Sequence, residues 1–270
     1  MATYSYLYPL LNNPQWLREQ YIDNGLSTIE VAKLAGAKTP NSARQALLRH
    51  GIPVRDYREG QVHNREHDFI FNESVIAGCL LGDGYLIKSN KTSKNSVPYF
   101  AKTNKYLEHV QYVAGFLFNE PDKFITPEIA MCRGKECPIF TLRGHTDDCL
   151  TPLYDKWYPA SNGFKKVVPT DLELDSTMLL HWFLDDGSSY HRRKESPVKQ
   201  ITVTFACESF TKTEQDFLAR QMFDKWGLMV NIRSYADGTG WRMHLRQSQT
   251  DLFFSIIGPP PVASMAYKWK

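Results

Sequence analysis

Two stretches of this chain end alike. Ser74-Val-Ile-Ala-Gly-Cys-Leu-Leu-Gly-Asp83-Gly84 and Met178-Leu-Leu-His-Trp-Phe-Leu-Asp-Asp186-Gly187 are each an apolar run of helical length closed by Asp-Gly. A helix that is apolar nearly all round has to be buried. Each run nonetheless delivers a carboxylate at its C-terminal end, where the macrodipole opposes negative charge, so a cation is expected at both ends. A single Asp-Gly is an ordinary helix stop, with glycine supplying a positive φ. Two copies, each followed by a strand-like segment, predict an internal repeat: two similar halves packed through their motif helices. The acids would then meet at a pseudo-twofold axis. Close carboxylates repel unless a divalent cation lies between them, and oxygen ligands suit Mg²⁺, or Mn²⁺ in its place. Such a centre is typical of phosphodiester hydrolysis.

The 270 residues allow two domains, or one domain and an appendage. A formal net charge of +3 is too mild to announce a nucleic-acid partner, so local clusters must carry that argument. The five cysteines, Cys79, Cys132, Cys137, Cys149 and Cys207, are odd in number and unevenly spaced. They predict reduced thiols in an intracellular protein, in a bacterial or phage-host cytoplasm or an organelle. No run reaches the roughly 18 apolar residues of a membrane span, and Met1-Ala-Thr-Tyr lacks a basic leader, so the expected protein is soluble and not secreted.

Residues 1–55 read as a small all-α unit. Trp16, Leu17, Tyr21 and Ile22 have helical spacing, stopped by Asn24-Gly25. Ser27 and Glu30 form a capping-box pattern for a second helix, with Ile29, Val31, Ala32 and Leu34 directed to a core. Thr39-Pro40 opens a third, from Asn41 to His50, with Ala43, Leu47 and Leu48 inward. Its other side carries Asn41, Ser42, Arg44, Gln45 and Arg49, the amides, hydroxyls and guanidiniums of a helix lying in a major groove. A structural bundle with a solvated polar face is the competing reading. Residues 56–66 are polar without apolar period, a linker.

Residues 67–160 form the first expected half: a hairpin from Tyr85 to Thr103 tipped by Lys88, Lys91 and Lys94, with Lys102 near its end, then a helical stripe of Tyr106, Val110, Val113, Ala114 and Leu117. A second hairpin follows, Ile125–Met131 and Pro138–Arg143, with Arg133 and Arg143 as basic members, then a helix from His145 to Trp157. Cys132, Cys137, His145 and Cys149 could hold zinc, but their spacing fits no zinc finger or knuckle. Residues 161–270 repeat the plan after the connector Lys165-Lys166-Val-Val-Pro169, with strands at 200–206, 228–235 and 240–245 and a helix from Thr211 to Trp226 that turns Phe217, Leu218, Met222 and Phe223 inward. Arg192, Arg193, Lys199, Arg233, Arg242 and Arg246 cluster on the strands, where a twisted sheet can follow a DNA groove. An apolar tail carries Lys268.

Ile76 to Gly84 and Leu179 to Gly187 resemble the paired motifs of LAGLIDADG homing endonucleases. With the Lys165–Pro169 connector, the Trp182–Gly187 form of the second motif and the terminal Met265-Ala-Tyr267-Lys268, the chain is similar to the single-chain subgroup encoded in mitochondrial introns from about residue 67 onward. The resemblance implies an α+β fold, a pseudo-twofold tandem of αββαββα halves set as a saddle on double-stranded DNA. It implies metal-dependent cleavage of both strands of a long asymmetric target by a monomer, leaving short 3′ overhangs. Asp83 and Asp186 would bind the metal, with the adjoining Gly82 and Asp185 in the metal-binding set. A lysine from each half would sit at the cleavage centre, Lys166 (with Lys165 beside it) and Lys268. Leu180 and His181 replace the small Ala-Gly pair of the second motif, so Ala77, Gly78 and Gly82 must absorb that bulk, with His181 a hydrogen-bonded core residue. A non-cleaving DNA-binding regulator and an RNA maturase are the other functions open to such a chain.

Overall fold

The computed structural model describes residues 8–55, 69–93, 95–132, 134–191, 201–234 and 240–269. The chain forms two compact units, Met1–His67 and Asp68–Lys270. The stretch expected as a linker lies outside the described residues.

In the first unit, α1 (Pro14–Arg18) is capped by the Asn13 side chain, which accepts from the amides of Gln15 and Trp16, and runs on as a π-helical turn to Asp23. The Ser27–Glu30 capping box starts α2 (Thr28–Leu34), with bonds of 3.2 and 2.7 Å. A turn through Gly36, at φ +72°, leads to α3 (Pro40–Arg49). Thr39 begins α3 without capping it, because its hydroxyl pairs with Ser42 Oγ. Leu17, Tyr21, Val31, Ala32, Ala43, Ala46, Leu47 and Ile52 make the core. So small a unit encloses few side chains. Ile29, Leu34 and Leu48, expected inside, are exposed, and Ala46 takes the inward position on α3.

The second unit shows the repeat directly. Its first half runs α4 (Glu73–Leu81), β1 (Tyr85–Ile87), β2 (Tyr99–Asn104), α5 (Leu107–Gly115), β3 (Ile125–Cys132), β4 (Lys135–Thr146) and α6 (Thr151–Trp157). The other half runs α7 (Ser176–Asp186), β5 (Gly187–His191), β6 (Ile201–Ala206), α8 (Lys212–Trp226), β7 (Val230–Ser234), β8 (Trp241–Leu245) and α9 (Thr250–Ile257). The two antiparallel sheets have matching strand orders, β1-β2-β4-β3 and β5-β6-β8-β7. A 3₁₀ helix, Ala263–Trp269, ends the described chain.

Every residue of α4 from Val75 to Leu81 is buried, as its apolar circumference demands. Burying each such Leu or Ile contributes roughly 1.5–3 kcal/mol. The helix lies along α7 so closely that a Cβ on Gly78 would stand 2.7 Å from the Met178 carbonyl oxygen and 2.8 Å from His181 Cβ. Glycine at 78 thus makes room for the bulk of the second motif. His181 is buried, its Nδ1 3.9 Å from Cys79 Sγ and its ring stacked on Tyr112, while Nε2 has no hydrogen-bond partner among the described residues. At the opposite end Asp175 caps α7 through the Met178 amide and accepts from Ser74 Oγ, tying the two helix starts together.

Two expected elements shift. His145 belongs to β4, and α6 begins at Thr151 because Pro152 is tolerated only in a first turn. On α8 the buried stripe is Gln215, Leu218 and Met222, which leaves Phe217 half-buried and turns Phe223 outward at 52% exposure.

Candidate active site

The C-terminal ends of α4 and α7 come together with the cations their dipoles call for. Lys166 Nζ donates to the carbonyl oxygens of Gly82 (2.9 Å) and Gly84 (3.3 Å), bracketing Asp83. Lys268 Nζ donates to those of Phe183 (3.0 Å), Leu184 (2.6 Å) and Asp185 (2.9 Å), the last turn of the helix that ends in Asp186. Each lysine satisfies carbonyls that a helix end leaves unpaired and sets positive charge against the negative pole. Lys165 is exposed, so Lys166 is the connector lysine at this site.

Lys268 arrives on a segment anchored in both halves. Glu108, from α5, accepts from the amides of Ala263 (3.2 Å) and Ser264 (2.9 Å). Ser189 Oγ donates to the Lys268 carbonyl at 2.6 Å, and Trp269 Nε1 donates to the Gly258 carbonyl at 2.8 Å while its ring packs on Phe183 and Phe254.

The acids feel one another. Burial, then Asp83 and Asp185, push the Asp186 carboxyl up to about 7 against the pull of Lys166 and Lys268. The Asp83 side chain reaches solvent, yet partial loss of water and the nearby Asp185 raise its pKa as well. Burial lowers the ammonium of Lys166 and brings that of Lys268 down to about 8, with the acids opposing. An open cleft beside Asp83 is lined by Thr103, Asn104, Tyr106, Tyr267 and Lys268.

Asp185 behaves differently from its neighbour. Its side chain is fully buried and ion-paired with Lys102 Nζ, itself fully buried. The second oxygen accepts from the Asp83 amide at 3.2 Å, and His109 Nε2 lies 3.6 Å from the first. Burial works against the Lys102 charge, but Asp185 holds its pKa above the usual lysine range. His109 is neutral, pushed down to about 2 by burial and then by Lys102 and Lys268. The Asp185 carboxylate is therefore engaged inside the protein, and only its carbonyl, like that of Gly82, faces a lysine at the site. Lys102, expected among the DNA-contacting cations, lies instead on the buried face of its sheet, paired with Asp185. Nothing in strand spacing signals this, since a lysine at an inward position becomes tenable only with a buried partner.

The other expected DNA contacts divide. Asn41, Arg44, Gln45 and Arg49 are exposed on α3, with Ser42 half-buried, and Lys91, Arg143, Arg233 and Arg246 are exposed. Lys88 is not a free surface cation: its side chain is 8% exposed, its Nζ is 3.3 Å from Asp155 and 4.4 Å from the Tyr154 ring centroid. Arg242 pairs with Glu208 at 2.9 Å. Lys94, Arg133, Arg192, Arg193 and Lys199 lie outside the described residues. On the second sheet Arg233 stands directly opposite Arg242, and Asn231 opposite His244, which itself opposes Thr204. Tyr190, Thr202, Asn231, Arg233, His244 and Arg246 line one groove of that sheet. A reading by charge alone overlooks the neutral members, which strand alternation would have marked.

Among the described residues no three His, Cys, Asp or Glu side chains converge as a metal-binding group, and no helix is long and apolar enough to cross a membrane. The site presents two carboxylates and adjoining carbonyls, all hard oxygen donors.

A profile of the LAGLIDADG DNA endonuclease family matches residues 73–253. A probable intron-encoded endonuclease of Wickerhamomyces canadensis is 27% identical over 203 residues, spanning 73% of this chain and 82% of the relative. An uncharacterized protein of Methanocaldococcus jannaschii is 26% identical over 251 residues, 90% of this chain and 91% of the relative. Such a span reaches into the first unit. Among solved structures, the homing endonuclease I-WcaI bound to its DNA recognition sequence matches with a TM-score of 0.58 at 22% identity, over 73% of this chain and 85% of that one. This likeness is one of fold.

Proposed function

Because the chain belongs to the LAGLIDADG DNA endonuclease family, we propose that it is a site-specific endonuclease that cuts both strands of a long, asymmetric DNA target with Mg²⁺ or Mn²⁺, leaving short 3′ overhangs. The observation that carries this reading is the convergence of Asp83 and Asp186, each at the end of a motif helix, with Lys166 and Lys268. Two acids of which one, Asp186, is pushed up to about 7 by burial and then by Asp83 and Asp185 suit divalent cations, and the carbonyls of Gly82 and Asp185 supply further hard donors. When bound, the ion lowers the pKa of attacking water and polarises the scissile phosphate.

The chain's own residues supply the rest. Asp83 and Asp186, one from each half, would hold divalent cations at the two scissile phosphates, so a monomer carries the machinery for both strands. Lys166 and Lys268, fixed by carbonyl bonds before substrate arrives, favour the charge that develops on the phosphates over the ground state. The outer faces of the two sheets carry the target: Arg233 and Arg246 for phosphates, and Asn231 and His244 for base edges. The first unit adds a helix-turn-helix-like module, with α3 presenting Asn41, Arg44, Gln45 and Arg49 to a neighbouring major groove and so lengthening the site.

The test is cleavage of a supercoiled plasmid bearing a target selected from a randomised library. Asp83→Asn and Asp186→Asn should each abolish linearisation while keeping DNA binding in chelator. Double-strand cutting by either variant at the wild-type rate rejects the proposal.

A further inference from the structure

The two acids of the site are held by different means. Asp186 is the last residue of α7, and the helix continues through it. α4 stops two residues before Asp83, which sits in a turn where Gly82 and Gly84 both donate their amides to the Cys79 carbonyl. The Asp83 amide donates instead across the pseudo-twofold axis, to Asp185. The arrangement is one-sided. Register pairs Tyr85 with Ala101 and Ser188 with Thr204, so Lys102 and Phe205 occupy equivalent places in the two sheets, as do Gly82 and Asp185 in the two motifs. Where the first sheet carries a buried lysine, the second carries a buried phenylalanine. Gly82 is also the residue that admits the acid, since a Cβ there would overlap the Asp185 side chain. A buried ion pair is seldom worth its desolvation for stability alone, so a pair present on one side only calls for a positional explanation.

We infer that Asp185, held by Lys102, is a positioning residue that fixes Asp83 through its main-chain amide, so that one strand of the duplex depends on this clamp and the other does not. The inference rests on the endonuclease reading above and adds to it an inequivalence between the two cutting centres. Asp83 is set by a carboxylate borrowed from the other half, and Asp186 by its own helix.

The experiment compares two double variants that each remove both buried charges. Asp185→Asn with Lys102→Met keeps an acceptor for the Asp83 amide. Asp185→Leu with Lys102→Met removes it. Nicking of each strand is followed on an end-labelled duplex carrying the selected target, in Mg²⁺, with DNA affinity measured in chelator. The Leu variant should slow one strand by on the order of 10²-fold, the scale of a 1 Å misplacement, and leave the other strand and the affinity within about twofold. The Asn variant should keep the wild-type ratio of the two strand rates. Amide exchange at Asp83 in the metal-free protein supplies a readout independent of activity: protected in the wild type and the Asn variant, unprotected in the Leu variant. Equal slowing of both strands, or an Asp83 amide that exchanges alike in all three proteins, overturns the inference. Should the wild type cut neither strand, the endonuclease reading fails, and amide exchange still decides the clamp.

Discussion

Lys268 donates to the main-chain carbonyl of Asp185 at 2.9 Å, and the equivalent bond in the other half, Lys166 to Gly82, has the same length. Both lysines sit at the C-terminal end of a motif helix, Lys268 where α7 ends in Asp186 and Lys166 on the turn that carries Asp83. Charges from distant parts of the chain are thereby locked at the one place where two helix dipoles and two carboxylates concentrate negative potential.

Replacing either lysine separates capping from catalysis. Lys166→Met and Lys268→Met should each lower plasmid cleavage by about 10²–10³-fold, the usual loss on removing one preorganised donor, with DNA affinity in chelator nearly unchanged. Single-turnover cleavage beside a binding titration checks this. A parallel loss of affinity would make the lysines phosphate anchors instead.

Glu108 tests whether the tail must be held for Lys268 to act. Glu108→Gln weakens the acceptor for the Ala263 and Ser264 amides while touching neither acid nor lysine. The expected outcome is faster proteolytic trimming of the C-terminal segment and slower cleavage. Shortening the chain before Ala263 should reproduce the Lys268→Met defect.

Gly78 is a point of close approach between the two motif helices. Gly78→Val forces side-chain carbon toward the Met178 carbonyl, which is backbone and cannot swing aside. The overpacking should cost at least about 1–3 kcal/mol, seen as a lower thermal midpoint, and should reduce cleavage by parting the acids. An unchanged midpoint would mean that the helices are not packed as described.

Proton and cation should compete for the site. Asp186 titrates near 7 in the metal-free protein, far above an unfolded carboxylate, so between roughly pH 4 and 7 the folded state holds the extra proton. This group's contribution to metal-free stability is therefore present at low pH and is lost as pH rises through about 7. Affinity for Mg²⁺ should move the opposite way, falling by up to about tenfold per unit as pH drops below 7. Thermal shifts with and without Mg²⁺ at pH 5.5 and 8 measure both trends. A Mg²⁺ shift that does not grow with pH would contradict this assignment.

The repeat, its element order and the two motif acids were legible in the sequence because they depend on local rules: apolar circumference, strand alternation and glycine stops. The need for a cation at each helix end was also legible, from the dipole alone. Locating those cations took the fold, since Lys166 stands 84 residues and Lys268 83 residues from the carbonyls they reach. Spacing cannot separate Lys165 from Lys166, or distinguish a lysine on the DNA face from Lys102. Burying Lys102 requires a carboxylate from the opposite half, and making space for that carboxylate requires a glycine on a third element. Sequence determines which groups are present and the period on which they recur. Only tertiary packing, which brings together residues whose separation carries no local signal, decided that Asp185 faces inward to hold Asp83 while Asp186, one residue later, ends its helix at the site.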